Sequence, residues 1–138
     1  MIQLIDDRLL GAVLLGEPPP QPDAEVFTTG YWYVRLCQAV LNASDRPGAL
    51  SGPFLDLPES TRQRAVGALL QLPDDIGLVS LRDLAPTTAS LRARHRLNIL
   101  SIEAVAAATH LQACVYLSTT SPRLEAALES EGCQYVVV

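Results

Sequence analysis

The order of elements written into residues 98–138 limits the fold more than any other feature. Ser101 caps a helix that carries Ile102, Val105, Ala106, Ala108 and Leu111 at helical spacing, and Glu103 falls in its first turn. Cys114-Val-Tyr-Leu117 follows as a short, continuous apolar run, the pattern of a strand buried on both faces. Ser121-Pro122 then matches a helix N-cap with proline at the first helical position; Leu124, Ala127 and Leu128 give that helix its inner face, and Gly132 stops it. The β-branched run 134–138 closes the segment. Strands separated by whole helices cannot pair as hairpins, so this order predicts a parallel sheet.

The rest of the chain extends the same alternation. Ile2–Ile5 is an apolar run closing on Asp6-Asp7, and Leu9, Leu10, Val13 and Leu14 follow at helical spacing, with Gly16 as a stop. The proline-rich stretch 17–23 cannot be regular structure and reads as a stiff connector. Thr28 or Thr29 can cap a helix over 31–41. Residues 44–53 read as a loop, and a helix opens near Pro58, with Val66, Leu69 and Leu70 as its stripe. A strand over 76–81 and a helix over 83–96, with Pro86 tolerable only in its first turn, complete the series. The expected architecture is a single α/β domain over 1–138: a three-layer α/β/α sandwich around a central, mostly parallel sheet of four to five strands.

Composition narrows the classes. Apolar residues make up 49 % of the 138, enough for a substantial core, yet no apolar run approaches the ~20 residues of a membrane-spanning helix. The N-terminus lacks the basic start of a secretory signal. The three cysteines, Cys37, Cys114 and Cys133, are too scattered for a zinc site or a disulfide framework and read as small buried hydrophobes in a reducing cytoplasm. The net charge is −5 and all ten basic residues are arginine, which fits a GC-rich bacterial genome. Such a chain does not attract nucleic acid through its overall field; RNA contact would need a local patch, for which Arg92, Arg94 and Arg96 are the candidates. Those arginines equally suit a solvated helix end. No glycine-rich phosphate loop, Walker loop, serine elbow or DNA-specific motif is present. His95 reads as exposed, His110 as a favourable charge near a helix end.

In open α/β sheets, sites form beyond the carboxyl ends of the strands. Asp6 and Asp7 follow the first strand, residues 118–121 follow the strand at Cys114–Leu117, and Glu103 reaches that edge if its helix starts there. Converging carboxylates repel unless a cation intervenes, and Mg²⁺ or Mn²⁺ favours such oxygens. The competing reading is structural: Asp6 and Asp7 as helix caps, Glu103 as a partner for the helix dipole.

The sequence resembles the PIN-domain family, the fold of many bacterial toxin ribonucleases. The carriers are IDDRLL at 5–10, RHRLNILSIEAVAAATHLQA at 94–113, LSTTSPRL at 117–124 and the closing strand at 134–138. The resemblance implies four acidic positions around one or two divalent cations. Carried over, the first falls on Asp6 and is kept. The second falls in RLCQAV at 35–40 and is Arg35. The third is Glu103, and the fourth is Ser121, which has no charge; Asp7 replaces a small polar residue after the first aspartate. Two unit charges ~4 Å apart interact by roughly 4 kcal/mol at an effective dielectric of about 20, so a guanidinium opposes a dication strongly. Arg35 is therefore expected to bridge Asp6 and Glu103 in the metal's place.

The resemblance thus implies a PIN-like domain with a degenerate metal site, non-catalytic, acting as a cytoplasmic binding or regulatory module for a protein partner or RNA, with no cofactor. The alternative is a Mg²⁺- or Mn²⁺-dependent endoribonuclease, the toxin of a toxin–antitoxin pair, using Asp6 and Glu103 as catalytic residues and Asp6, Asp7 and Glu103 as metal ligands. A homodimer, suggested by the Trp32/Tyr33 pair, and an antitoxin-like partner remain open; a membrane is not expected.

Overall fold

The computed structural model describes residues 1–42 and 48–138. Its centre is a five-stranded, all-parallel sheet formed by β1 (Ile2–Ile5), β2 (Glu25–Thr28), β3 (Ile76–Leu78), β4 (Cys114–Leu117) and β5 (Tyr135–Val137), in the spatial order β3-β2-β1-β4-β5. The chain builds outward from β1 through β2 to β3, then returns across the sheet to lay β4 on the other side of β1. That reversal opens a crevice between the carboxyl ends of β1 and β4, the place where open α/β sheets bind ligands.

Helices connect every pair of consecutive strands. They are α1 (Asp7–Leu14), α2 (Gly30–Leu41), α3 (Gly52–Leu55), α4 (Glu59–Leu70), α5 (Leu81–Arg94), α6 (Ile99–Leu111) and α7 (Pro122–Ser130). Strand side chains alternate between two core clusters. Leu4, Val115 and Leu117 join residues of α5, α6 and α7, whereas Ile5, Tyr116 and Ile76 join residues of α1, α2, α3 and α4. Each face of the sheet therefore carries its own helices, as expected for an α/β sandwich.

Helix α6 is the most enclosed. Residues Ile102 through Ala108 are all buried, and the helix touches α5, α7, α2 and β1. The run of alanines is what a helix surrounded on all sides requires, because small side chains let neighbours approach. The expected inner stripe of α6 was too narrow: Ala104 and Ala107 are as buried as Val105.

The boundaries differ from expectation in ways that have physical causes. Asn98, not Ser101, caps α6, its side chain accepting the Ser101 N–H at 2.9 Å. Asparagine caps as well as serine, and Ile99 and Leu100 continue the helix inward. This moves Glu103 from the first turn into the second. Ser80 caps α5, so Pro86 lies in the second turn, not the first. Pro86 is exposed, so the carbonyl that loses its helical partner can turn to water. Strand β2 was not anticipated, because Glu25 and the flanking threonines mask a run of only Val26 and Phe27. Thr29, of the two threonines considered, caps α2 by accepting the Trp32 N–H at 3.1 Å. Of the loop expected over 44–53, residues 44–47 lie outside the described residues, and Gly52 and Pro53 already belong to α3. No helix among the described residues is long and apolar enough to cross a membrane.

Candidate functional site

Asp6 sits at the point where β1 becomes α1. As N-cap it accepts the Leu9 N–H on Oδ1 at 3.0 Å. Its second oxygen, Oδ2, accepts both the Ser118 N–H and the Ser118 hydroxyl at 2.7 Å. The side chain thus ties the carboxyl end of β1 to that of β4 across the crevice. Asp6 is 6 % exposed, and three donors satisfy it, a common state for a buried carboxylate.

Its neighbour is less well provided for. Asp7 Oδ1 accepts the Arg8 N–H at 2.8 Å, but Oδ2 is buried without a hydrogen-bond partner. The Arg35 Nε lies 3.4 Å from that oxygen, an ion-pair distance without hydrogen-bond geometry. Burial pushes the Asp7 carboxyl above the ordinary aspartate range; the Asp6 charge adds to this, and Arg35 and the backbone bond partly oppose it.

Glu103 is 1 % exposed. Oε1 accepts the Tyr31 N–H at 2.8 Å, in the first turn of α2. A carboxylate there satisfies an orphan donor and meets the positive end of the helix dipole. Oε2 has no hydrogen-bond partner and would lie 3.4 Å from a Cβ placed on Gly30.

Between these groups lies a cleft of about 370 Å³. Asp6, Asp7, Arg8 and Arg35 line it together with Trp32, Asn98, Ser101 and residues 118–121. Ser121 is the N-cap of α7, yet its side chain makes no capping bond. Glu125 does the capping instead, accepting the Ser121 N–H at 2.6 Å and the Thr120 hydroxyl at 2.7 Å.

The structure therefore brings Asp6, Asp7, Arg35 and Ser121 to one cleft, whose lining does not include Glu103. The expected arginine bridge is corrected: Arg35 contacts Asp7, not Asp6 and Glu103, because α2 carries its exposed guanidinium over Asp7 while Glu103 lies beneath the start of that helix. Among the described residues, no three His, Cys, Asp or Glu side chains are grouped to hold a metal ion. The donor set suits Mg²⁺ poorly: Asp6 already accepts three hydrogen bonds, Glu103 is not among the residues lining the cleft, and Arg35 brings positive charge to it.

The arginine cluster is divided. Arg94 is tied to Glu131, with Nη2 3.0 Å from Oε1, whereas Arg92 and Arg96 are exposed. His95, expected to be exposed, is half-buried and lies 2.7 Å from the same carboxylate. Trp32 packs into the core and the Tyr33 hydroxyl donates to the Leu69 carbonyl at 2.6 Å, so the aromatic pair faces inward. Sequence spacing places Ser118 at this edge but not its two hydrogen bonds to Asp6, and it does not single out Arg8 as a residue of the cleft. No model of a known protein family matches the chain, and no curated protein matches it in sequence.

Proposed function

We propose that the chain is a PIN-like domain that binds a protein partner or RNA at its carboxyl-edge cleft without cutting. The observation that carries this reading is the employment of Asp6: both carboxylate oxygens are held by Leu9 and Ser118 donors at 2.7–3.0 Å. These bonds take three of the carboxylate's roughly four acceptor sites and leave a cation at most one, on Oδ1. The cation at the rim is instead the Arg35 guanidinium, against Asp7. The sheet order and the aspartate at the end of its central strand support the PIN-like scaffold. Arg8, Asn98 and the Thr119 and Ser121 hydroxyls supply hydrogen-bond donors for a ligand, those of Ser118 and Thr120 being given to Asp6 and Glu125.

The alternative, a Mg²⁺-dependent endoribonuclease acting as a toxin, draws on two carboxylate oxygens without hydrogen-bond partners, Asp7 Oδ2 and Glu103 Oε2. Incubation of end-labelled single-stranded RNA with the protein in Mg²⁺ or Mn²⁺ separates the two. The expected result is RNA left intact, with cleavage no greater than for Asp6→Asn. Metal-dependent cleavage that disappears in both Asp6→Asn and Glu103→Gln would overturn the binding reading.

A further inference from the structure

We propose that the surface between α5 and α7 is a docking site for an acidic peptide segment of a partner protein. It is separate from the cleft at Asp6 and does not depend on how that cleft is used. Arg94, Arg96 and Arg123 border a depression of about 500 Å³, and all three side chains are exposed. In a chain of net charge −5 this is a local reversal of sign. Sequence spacing hides it, because Arg123 comes from a different helix.

The wall of the depression is built rather than loose. Glu131, just beyond α7, holds Arg94 through Nε at 3.4 Å and Nη2 at 3.0 Å, and Arg94 Nη1 donates to the Ser90 hydroxyl at 3.2 Å. His95 Nε2 lies 2.7 Å from the same carboxylate. Hydrogen bonds from Arg94, then His95, hold the Glu131 carboxyl below its ordinary range, so it remains an anion that clamps the end of α5 to α7. Arg96 and Arg123 have no ion-pair partner among the described residues. They are the two forks left to meet an incoming carboxylate, which guanidinium binds bidentately.

The floor is apolar. Leu97 packs against the core with one side open, and Ala126 and Ala127 complete it. Guanidinium groups around a small apolar floor match a peptide in which carboxylates alternate with an aliphatic side chain. Single-stranded nucleic acid gains much of its affinity by stacking bases on aromatic rings. No aromatic side chain lines this depression among the described residues. Charge and floor together therefore favour the acidic peptide.

Fluorescence anisotropy with a fluorescein-labelled Glu-Glu-Leu-Glu-Glu-Leu-Glu peptide tests this, with labelled oligouridine as the second probe. The unmodified protein should bind the peptide, and added salt should weaken that binding. Arg96→Gln with Arg123→Gln should weaken it about fivefold or more, as the loss of two exposed ion pairs implies. Arg64→Gln with Arg82→Gln removes equal charge elsewhere and should leave binding unchanged. All four positions are exposed, and thermal melts followed by circular dichroism check that both variants fold. No peptide binding, an equal loss in the two double variants, or tighter binding of oligouridine would each overturn the proposal, the last by assigning the surface to RNA.

Discussion

Acidic residues gather at both ends of the sheet, and the two groups live under different rules. At the amino end, Asp23, Glu25, Asp74 and Asp75 border one depression, and all four are exposed. At the carboxyl end, Asp6, Asp7 and Glu103 are buried. Water solvates the first group, so its members need no partners and specify nothing. Burial forces the second group to find donors in the protein, and the quality of those donors sets each residue's role. Asp6 finds three and becomes a structural tie. Asp7 and Glu103 each keep one oxygen without a hydrogen bond. A carboxylate's place in a motif therefore says less about its chemistry than the donors around it.

Removal of the tie should have the largest effect. Asp6→Ala deletes the cap of α1 and leaves the Ser118 N–H and hydroxyl without their acceptor. Loss of a cap costs about 1 kcal/mol, and each hydrogen bond to a charged group about 1.5–3 kcal/mol, so a total of about 4 kcal/mol or more is expected. Asp74→Ala at the opposite end should change stability by less than about 0.5 kcal/mol. Urea denaturation read at constant slope measures both. Similar values at the two ends would break the comparison.

An intermediate effect is expected at Glu103, where two substitutions sharpen the argument. Glu103→Ala strands the Tyr31 N–H at the start of α2 and opens a buried void, for about 2 kcal/mol. Glu103→Gln keeps the acceptor for that N–H and removes a buried charge, and should stay within about 1 kcal/mol of the parent protein. If Glu103→Gln proved as costly as Glu103→Ala, the charge itself would matter, and Oε2 would have a partner that the hydrogen bonds described above do not include.

Much of this is legible in the sequence. Ile2–Ile5 and Cys114–Leu117 stand out because strands buried on both faces are written as continuous apolar runs, and the terminal strand, an exposed edge strand, stands out by its run of valines. Strand β2 does not, since only Val26 and Phe27 carry that signal; tertiary pairing with β1 and β3 makes it a strand. That Asp6 and residues 118–121 share an edge followed from the parallel order. What could not be read was direction within a few ångströms. The three-residue shift of the α6 cap from Ser101 to Asn98 is small along the sequence, and the placement of Glu103 under α2 depends on contacts 72 residues apart. Spacing places a side chain on an element; packing between elements decides what it touches.

The smallest effect concerns Asp7 and Arg35. Because burial raises the Asp7 carboxyl in the folded chain, the native state holds that proton to higher pH than the unfolded chain does. Unfolding free energy should then fall as pH rises from the ordinary aspartate value through the folded one, and the deficit should persist at neutral pH. Asp7→Asn keeps an acceptor for the Arg8 N–H and should flatten that segment of the stability–pH curve. Arg35 opposes the shift only weakly, since its side chain is 60 % exposed and water screens the pair at 3.4 Å. A double-mutant cycle of Arg35→Ala with Asp7→Asn should give a coupling below about 1 kcal/mol. A coupling well above that would mean that the guanidinium is a tightly held counter-ion, and the carboxyl-end acids would then be organised around a cation as well as around backbone donors.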